Sequence, residues 1–139
     1  MIRFLAFVIL MTLLVSLPGC TSPGSRKPAT APSQRYTNVD ANEFERLSRQ
    51  PGAMILDVRT ADEYASGHLP GALSMDVRSP DFVARVSQLD KSKTYLLHCR
   101  TGLRSTSACK LLADMGFPHL YNLTGGLGAW QSAGKPVVK

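Results

Sequence analysis

The sequence predicts an α/β sandwich in which a central parallel sheet of about five strands carries helices on both faces. Three observations lead there. From Tyr36 onward, short apolar runs alternate with stretches of helical periodicity, the order that strand-helix-strand units produce. Two of the runs, Met54-Ile55-Leu56-Asp57-Val58 and Thr94-Tyr95-Leu96-Leu97-His98, are nearly continuous, as expected of strands covered on both sides. The length of 139 residues, 44% hydrophobic and 19% charged, suits one compact domain and leaves little room for a second.

Each element has its own signal. Tyr36-Thr37-Asn38-Val39 reads as a first strand, and Asp40 as a helix cap whose capping box Glu43 completes, with Phe44 and Leu47 on one face. The run from Met54 to Val58 is the second strand, followed by a short helix from Ala61 to Ala65. Gly67-His68-Leu69-Pro70-Gly71 is a turn cluster, and Ala72 to Met75 a third strand. Asp81 is placed to cap a helix carrying Phe82, Val83 and Val86, and Thr94 to His98 forms a buried strand ending at Cys99. Ser105 to Met115 has Ala108, Leu111, Leu112 and Met115 at helical spacing, stopped by Gly116 with Pro118 beyond. His119 to Leu123 gives the last strand, and Gly125-Gly126 opens a closing helix with Leu127 and Trp130.

The amino-terminal third is different in kind. Arg3, Arg26, Lys27 and Arg35 carry four of the six net positive charges, whereas from Tyr36 onward 12 Lys/Arg face 10 Asp/Glu. The folded part therefore lacks the basic surplus that nucleic-acid binding calls for. Residues 1–19 read as an export signal, with Arg3 before an apolar run from Phe4 to Leu17 that is short of the about 20 residues a spanning helix needs. Leu17-Pro18-Gly19-Cys20 resembles the bacterial lipobox, although Pro18 stands where Ala or Ser is commoner. That resemblance implies cleavage before a lipidated Cys20, attachment to a membrane and residence in the bacterial cell envelope. Thr21 after Cys20 points to the outer membrane, facing the periplasm, where two membranes exist. The plainer reading is an ordinary secretory signal with a free Cys20. Residues 20–35 then form a tether, since Thr21 to Gln34 has three Pro and no large apolar residue and cannot bury enough surface to order itself.

Three cysteines are too few, and odd in number, for a disulfide scaffold. The chemistry points to Cys99. Cys99-Arg100-Thr101-Gly102-Leu103-Arg104-Ser105 joins a buried strand to a helix amino terminus, where unpaired N–H groups favour negative charge. Arg100 and Arg104 flank the thiol and are expected to help hold it as a thiolate. Gly102 lets the backbone turn inward.

At these residues the chain resembles the rhodanese-like family. Asp57-Val58-Arg59, Glu63-Tyr64, Gly67 to Ala72, the loop from Cys99 to Arg104, and Gly125-Gly126 with Trp130 carry the resemblance, which spans residues 36–139 as a single rhodanese-like domain. It implies a sulfurtransferase whose Cys99 takes up a sulfane sulfur as a persulfide and passes it on. The donor would be a small sulfur-containing anion such as thiosulfate, and the acceptor a thiol or cyanide. Arg100 and the amides of Thr101, Gly102, Leu103, Arg104 and Ser105 would form the anion pocket. Arg104 either braces the loop or touches the substrate. No metal or organic cofactor is called for, and the protein is expected to be a monomer.

Two rivals are weaker. The phosphatases and arsenate reductases of this superfamily place five residues between Cys and Arg, whereas Arg100, Thr101, Gly102 and Leu103 make four. A redox or docking module of the same fold would typically lack the cysteine. His98 follows the strand alternation to the face opposite Cys99 and reads as a satisfied core histidine. His68 belongs to the turn, Cys109 and Trp130 to the core, and Asp57 and Arg59 pair with each other or brace the loop.

Overall fold

In the computed structural model of the chain, residues 34–139 are described. The expected signal, the lipidated Cys20 and nearly all of the tether lie outside them. In order, the elements are β1 (Thr37–Val39), α1 (Ala41–Ser48), β2 (Ala53–Asp57), α2 (Ala61–Ala65), β3 (Leu73–Ser74), α3 (Phe82–Ser87), β4 (Thr94–His98), α4 (Leu103–Asp114), β5 (Leu120–Leu123) and α5 (Gly126–Ser132). The five strands form one sheet in the order β1-β5-β4-β2-β3, parallel throughout. The expected α/β class, strand number and direction all hold.

Strand alternation sorts the apolar side chains into two layers. Leu56, Tyr95, Leu97 and Cys99 pack against Phe82 and Val86 of α3 and Ala108, Cys109 and Leu112 of α4. Ile55, Leu96 and Leu123 pack on the other face, against Phe44 and Leu47 of α1 and Leu127 and Trp130 of α5. The chain leaves β2 toward β3 on one side and leaves β4 toward β5 on the other. The crevice between the carboxyl ends of β2 and β4 is therefore the switch point where open α/β sheets place their chemistry.

Several local expectations need correction. Asp40 does cap α1, accepting from the amides of Asn42 and Glu43, both at 2.9 Å, but Glu43 does not complete a box. Its carboxylate is taken by Arg46 at 2.7 and 2.6 Å. The reciprocal box lies instead at Thr60 and Glu63, opening α2. Asp81 makes no cap because its own backbone is already helical (φ −90°, ψ 0°) and its carboxylate accepts from the Ser79 hydroxyl. The third strand shrinks to two residues. Arg35, assigned to the tether, donates to the Ala113 carbonyl at 3.1 Å and pairs with Asp114 at the end of α4.

Beside the switch point sits a buried polar group. Arg59 grips Asp57, with Nε 2.8 Å from Oδ1, and donates to the Gly67 carbonyl at 2.7 Å. Both side chains are buried, so each supplies the counter-charge that makes the other's burial tolerable. Of the two readings for this pair, mutual pairing is the one observed. His98 lies on the α1 side, edge-on to Phe44, opposite Cys99 as expected. It is not fully satisfied, however: Nε2 has no hydrogen-bond partner and stands 3.5 Å from Asp57.

Burial pushes the His98 imidazole down to about 4, against the attraction of Asp57. Its proton affinity is thus lower folded than unfolded, where the value is about 6.5. The unfolding free energy should therefore hold above pH ~6.5 and decline as the pH falls toward ~4. Urea titrations across that window check this, and His98→Gln should flatten the decline. Glu63, held down to about 2 by Arg104, contributes its own loss only below its ordinary value near 4.5.

Candidate active site

The buried strand β4 delivers Cys99 to the sheet's carboxyl edge with no exposed surface. The chain then turns through Gly102, whose φ of +94° is the left-handed geometry that glycine tolerates. This turn starts α4 at Leu103, two residues earlier than the helical spacing indicates. The first-turn amides of α4 consequently stand beside the sulfur. The Gly102 amide donates to Cys99 Sγ at 3.1 Å. The Ser105 hydroxyl lies 3.6 Å from Sγ and 3.1 Å from the Gly102 carbonyl, and its single proton can serve either one.

Burial alone would raise the Cys99 thiol. Hydrogen bonds from the Ser105 hydroxyl and from the Ser105, Thr101 and Gly102 amides outweigh it, and the thiol lies below its ordinary value. Of the two arginines expected to help hold the thiolate, Arg104 feels the attraction of the Cys99 charge. Arg104 forms a two-pronged ion pair with Glu63 at 2.6 and 2.8 Å, which ties the start of α4 to α2. Arg100 is exposed and lines a cleft with Thr101 and the start of α5. The Leu103 side chain points outward, 77% exposed. Ser105→Ala should raise the Cys99 midpoint by about one pH unit or more, since a hydrogen bond to a charged group is worth about 1.5–3 kcal/mol. Thiolate ultraviolet absorbance against pH, in a Cys20→Ser background, measures it.

The rear of the loop is held by α5, a role the sequence reading did not assign. Leu127 N–H donates to the Cys99 carbonyl at 2.8 Å and Gly128 N–H to the Arg100 carbonyl at 3.2 Å. Because C=O and N–H point oppositely across a trans peptide, anchoring the Arg100 carbonyl to α5 turns the Thr101 amide the other way, toward the sulfur. Such proximity requires Gly126: a Cβ there would stand 2.4 Å from the Cys99 oxygen and 2.7 Å from the Arg100 carbonyl carbon. The available signal was the Gly125-Gly126 pair, which fixed a turn without revealing what it packs on.

The remaining candidates take structural places. His68 stacks on Tyr64 with ring centroids 3.8 Å apart. Trp130 is buried against Phe44 and donates to the Pro136 carbonyl at 2.8 Å. Cys109 is buried in the α4 face of the core, its thiol pushed up to about 12.

A depressed thiol enclosed by backbone N–H groups, at the switch point of a five-stranded parallel sheet, defines a cysteine-loop α/β protein. Residues 40–133 match the family described as the Rhodanese-like domain, and the chain belongs to that family. A sulfurtransferase of Allochromatium vinosum is 34% identical over 94 residues, covering 68% of this chain and 86% of its own. A thiosulfate sulfurtransferase of Actinobacillus pleuropneumoniae is 24% identical over 105 residues, 76% of this chain and 95% of its own. Among solved structures, the rhodanese-like domain of Anabaena protein Alr3790 is 36% identical with a TM-score of 0.65, covering 73% of this chain and 77% of that one.

Proposed function

We propose that the protein is a sulfurtransferase that moves a sulfane sulfur from a donor such as thiosulfate to a thiol or cyanide through a Cys99 persulfide. The observation carrying this reading is the sulfur's setting: Gly102 N–H and the Ser105 hydroxyl at Sγ, with the thiol held below its ordinary value. The Cys99 thiolate attacks the outer sulfur of thiosulfate, a new S–S bond forms, the donor's S–S bond breaks, and sulfite leaves with that bond's electron pair. Charge is conserved: thiolate and thiosulfate dianion become persulfide anion and sulfite dianion. The acceptor then takes the terminal sulfur and restores the thiolate. Backbone donors fixed before the reaction stabilise the anions without having to reorganise.

The reading extends to location: an exported protein held to a membrane by a lipidated Cys20. Mass spectrometry of the protein recovered from the membrane fraction, with and without Cys20→Ser, tests that part; an unmodified Cys20 would remove it. For the chemistry, the full-length protein is incubated with thiosulfate alone and its intact mass measured. A gain of one sulfur atom, released on adding cyanide, is expected. No gain with thiosulfate or any other sulfane donor would overturn the reading in favour of a docking module.

A further inference from the structure

Glu63 and Arg104 join the two walls of the crevice in which Cys99 sits. α2, which carries Glu63, follows β2, and α4, which carries Arg104, follows β4; the two strands pair side by side as far as Asp57 and His98. The Arg104 Nη atoms hold the two Glu63 oxygens at 2.6 and 2.8 Å. The Glu63 end is itself fixed, since its carboxylate accepts from the Thr60 amide at 3.3 Å and from the Thr60 hydroxyl at 3.2 Å. The two side chains keep only 21% and 28% of their surface exposed, so solvent screens this pair less than a fully exposed one.

The charges around the crevice do not balance. Asp57 is matched by Arg59, which grips it through Nε and Nη2, and His98, lowered to about 4, is neutral near pH 7. Once the Cys99 thiolate forms, Arg104 stands between two anions. Glu63 has the larger share: its hydrogen bonds first, and then the charges of Cys99 and Asp57, raise the guanidinium against its partial burial. Arg104 in turn holds Glu63 down to about 2, so the carboxylate is ionised wherever the thiolate is. The sulfur relies on the Gly102 amide and the Ser105 hydroxyl, and Arg104 adds what Glu63 leaves.

We propose that Glu63 is a positioning residue that limits how firmly the site holds anions: by occupying the fork of Arg104 it withholds that cation from Cys99 and from a dianionic donor. This deepens the sulfurtransferase reading and rests on it. A site that takes in thiosulfate must also let go of sulfite, and both are dianions. An unshared Arg104 would tighten its hold on both, and binding that favours substrate and leaving group equally does not speed turnover. Glu63 sets the compromise between admitting a dianion and retaining one.

Three variants test it in a Cys20→Ser background, with thiosulfate, a dianion, and benzenethiosulfonate, a monoanion, as donors and cyanide as acceptor. The second donor yields its outer sulfur to the Cys99 thiolate and leaves as benzenesulfinate with the electron pair of the broken S–S bond. Glu63→Gln keeps the side chain's shape and can still accept from Thr60. It should lower the Cys99 midpoint, read by thiolate absorbance, by about half a pH unit. For thiosulfate kcat/KM should rise about threefold, and the inhibition constant of added sulfite should fall about threefold, while kcat/KM for benzenethiosulfonate changes by less than about twofold. Glu63→Asp keeps the charge but draws it one methylene back from Arg104, and should show the same directions at smaller amplitude. Thr60→Ala, which loosens the start of α2 and leaves both charges in place, should resemble wild type. A pair that merely braced the loop would behave otherwise: its loss would raise the midpoint and slow both donors alike. That pattern, or a midpoint that falls in neither Glu63 variant, would overturn the proposal and leave the sulfurtransferase reading standing. A wild type that gains no sulfur from either donor would remove that reading, and this inference with it.

Discussion

Cys99→Ala is expected to lower sulfur transfer at least about a thousandfold, because no other nucleophile among the described residues is placed to replace the sulfur. The same variant should show no mass gain with thiosulfate. Cys109 cannot substitute, since its thiol is buried within α4 and pushed up to about 12. Cys99→Ser should be equally silent: the hydroxyl would still accept from Gly102, but it stays protonated at neutral pH. The domain itself should survive, because losing one buried sulfur costs on the order of 1 kcal/mol, and thermal denaturation will show whether it does. Full activity in either variant would mean that transfer does not pass through Cys99.

Gly126→Ala is expected to disable the loop from behind, reducing turnover about a hundredfold through loss of alignment alone. Two effects act together. Gly126 has a φ of +56°, and a strained backbone position costs of order 1–3 kcal/mol. The added methyl would also lie 2.4 Å from the Cys99 oxygen, so one of two backbones must yield, and the loop that yields carries the sulfur. The thiol should then rise toward its ordinary value as the Thr101 and Gly102 amides turn away. Gly128→Ala is the matched control: the nearest atom to its Cβ is 3.7 Å away and its φ is not positive. It should leave pH profile and turnover near wild type.

Most of the architecture was legible in local sequence. The continuous apolar runs around Leu56 and Leu97 marked the two strands at the centre of the sheet, because a strand covered on both faces has no polar alternation. The position of Cys99 followed from strand direction, and its separation from His98 from the two-residue repeat. Where the reading went astray, the deciding contact was elsewhere. Glu43 met Arg46 rather than the Asp40 backbone, and Asp81 met Ser79. The start of α4 was misplaced because it is set by a left-handed Gly102 rather than by a capping side chain. The α5 amides that orient the loop each lie 28 residues beyond the carbonyl they hold, and no periodicity reports a contact at that range.

Because all five strands run the same way, their amino ends share one pole of the domain and Cys99 occupies the other. The polypeptide enters at Thr37, on the pole remote from the sulfur. Immobilising the protein by its amino terminus, on a bead, a sensor chip or through the lipid proposed at Cys20, should therefore present the reactive mouth to the surrounding medium. Its turnover should match that of the free protein, with no linker redesign to orient the catalyst.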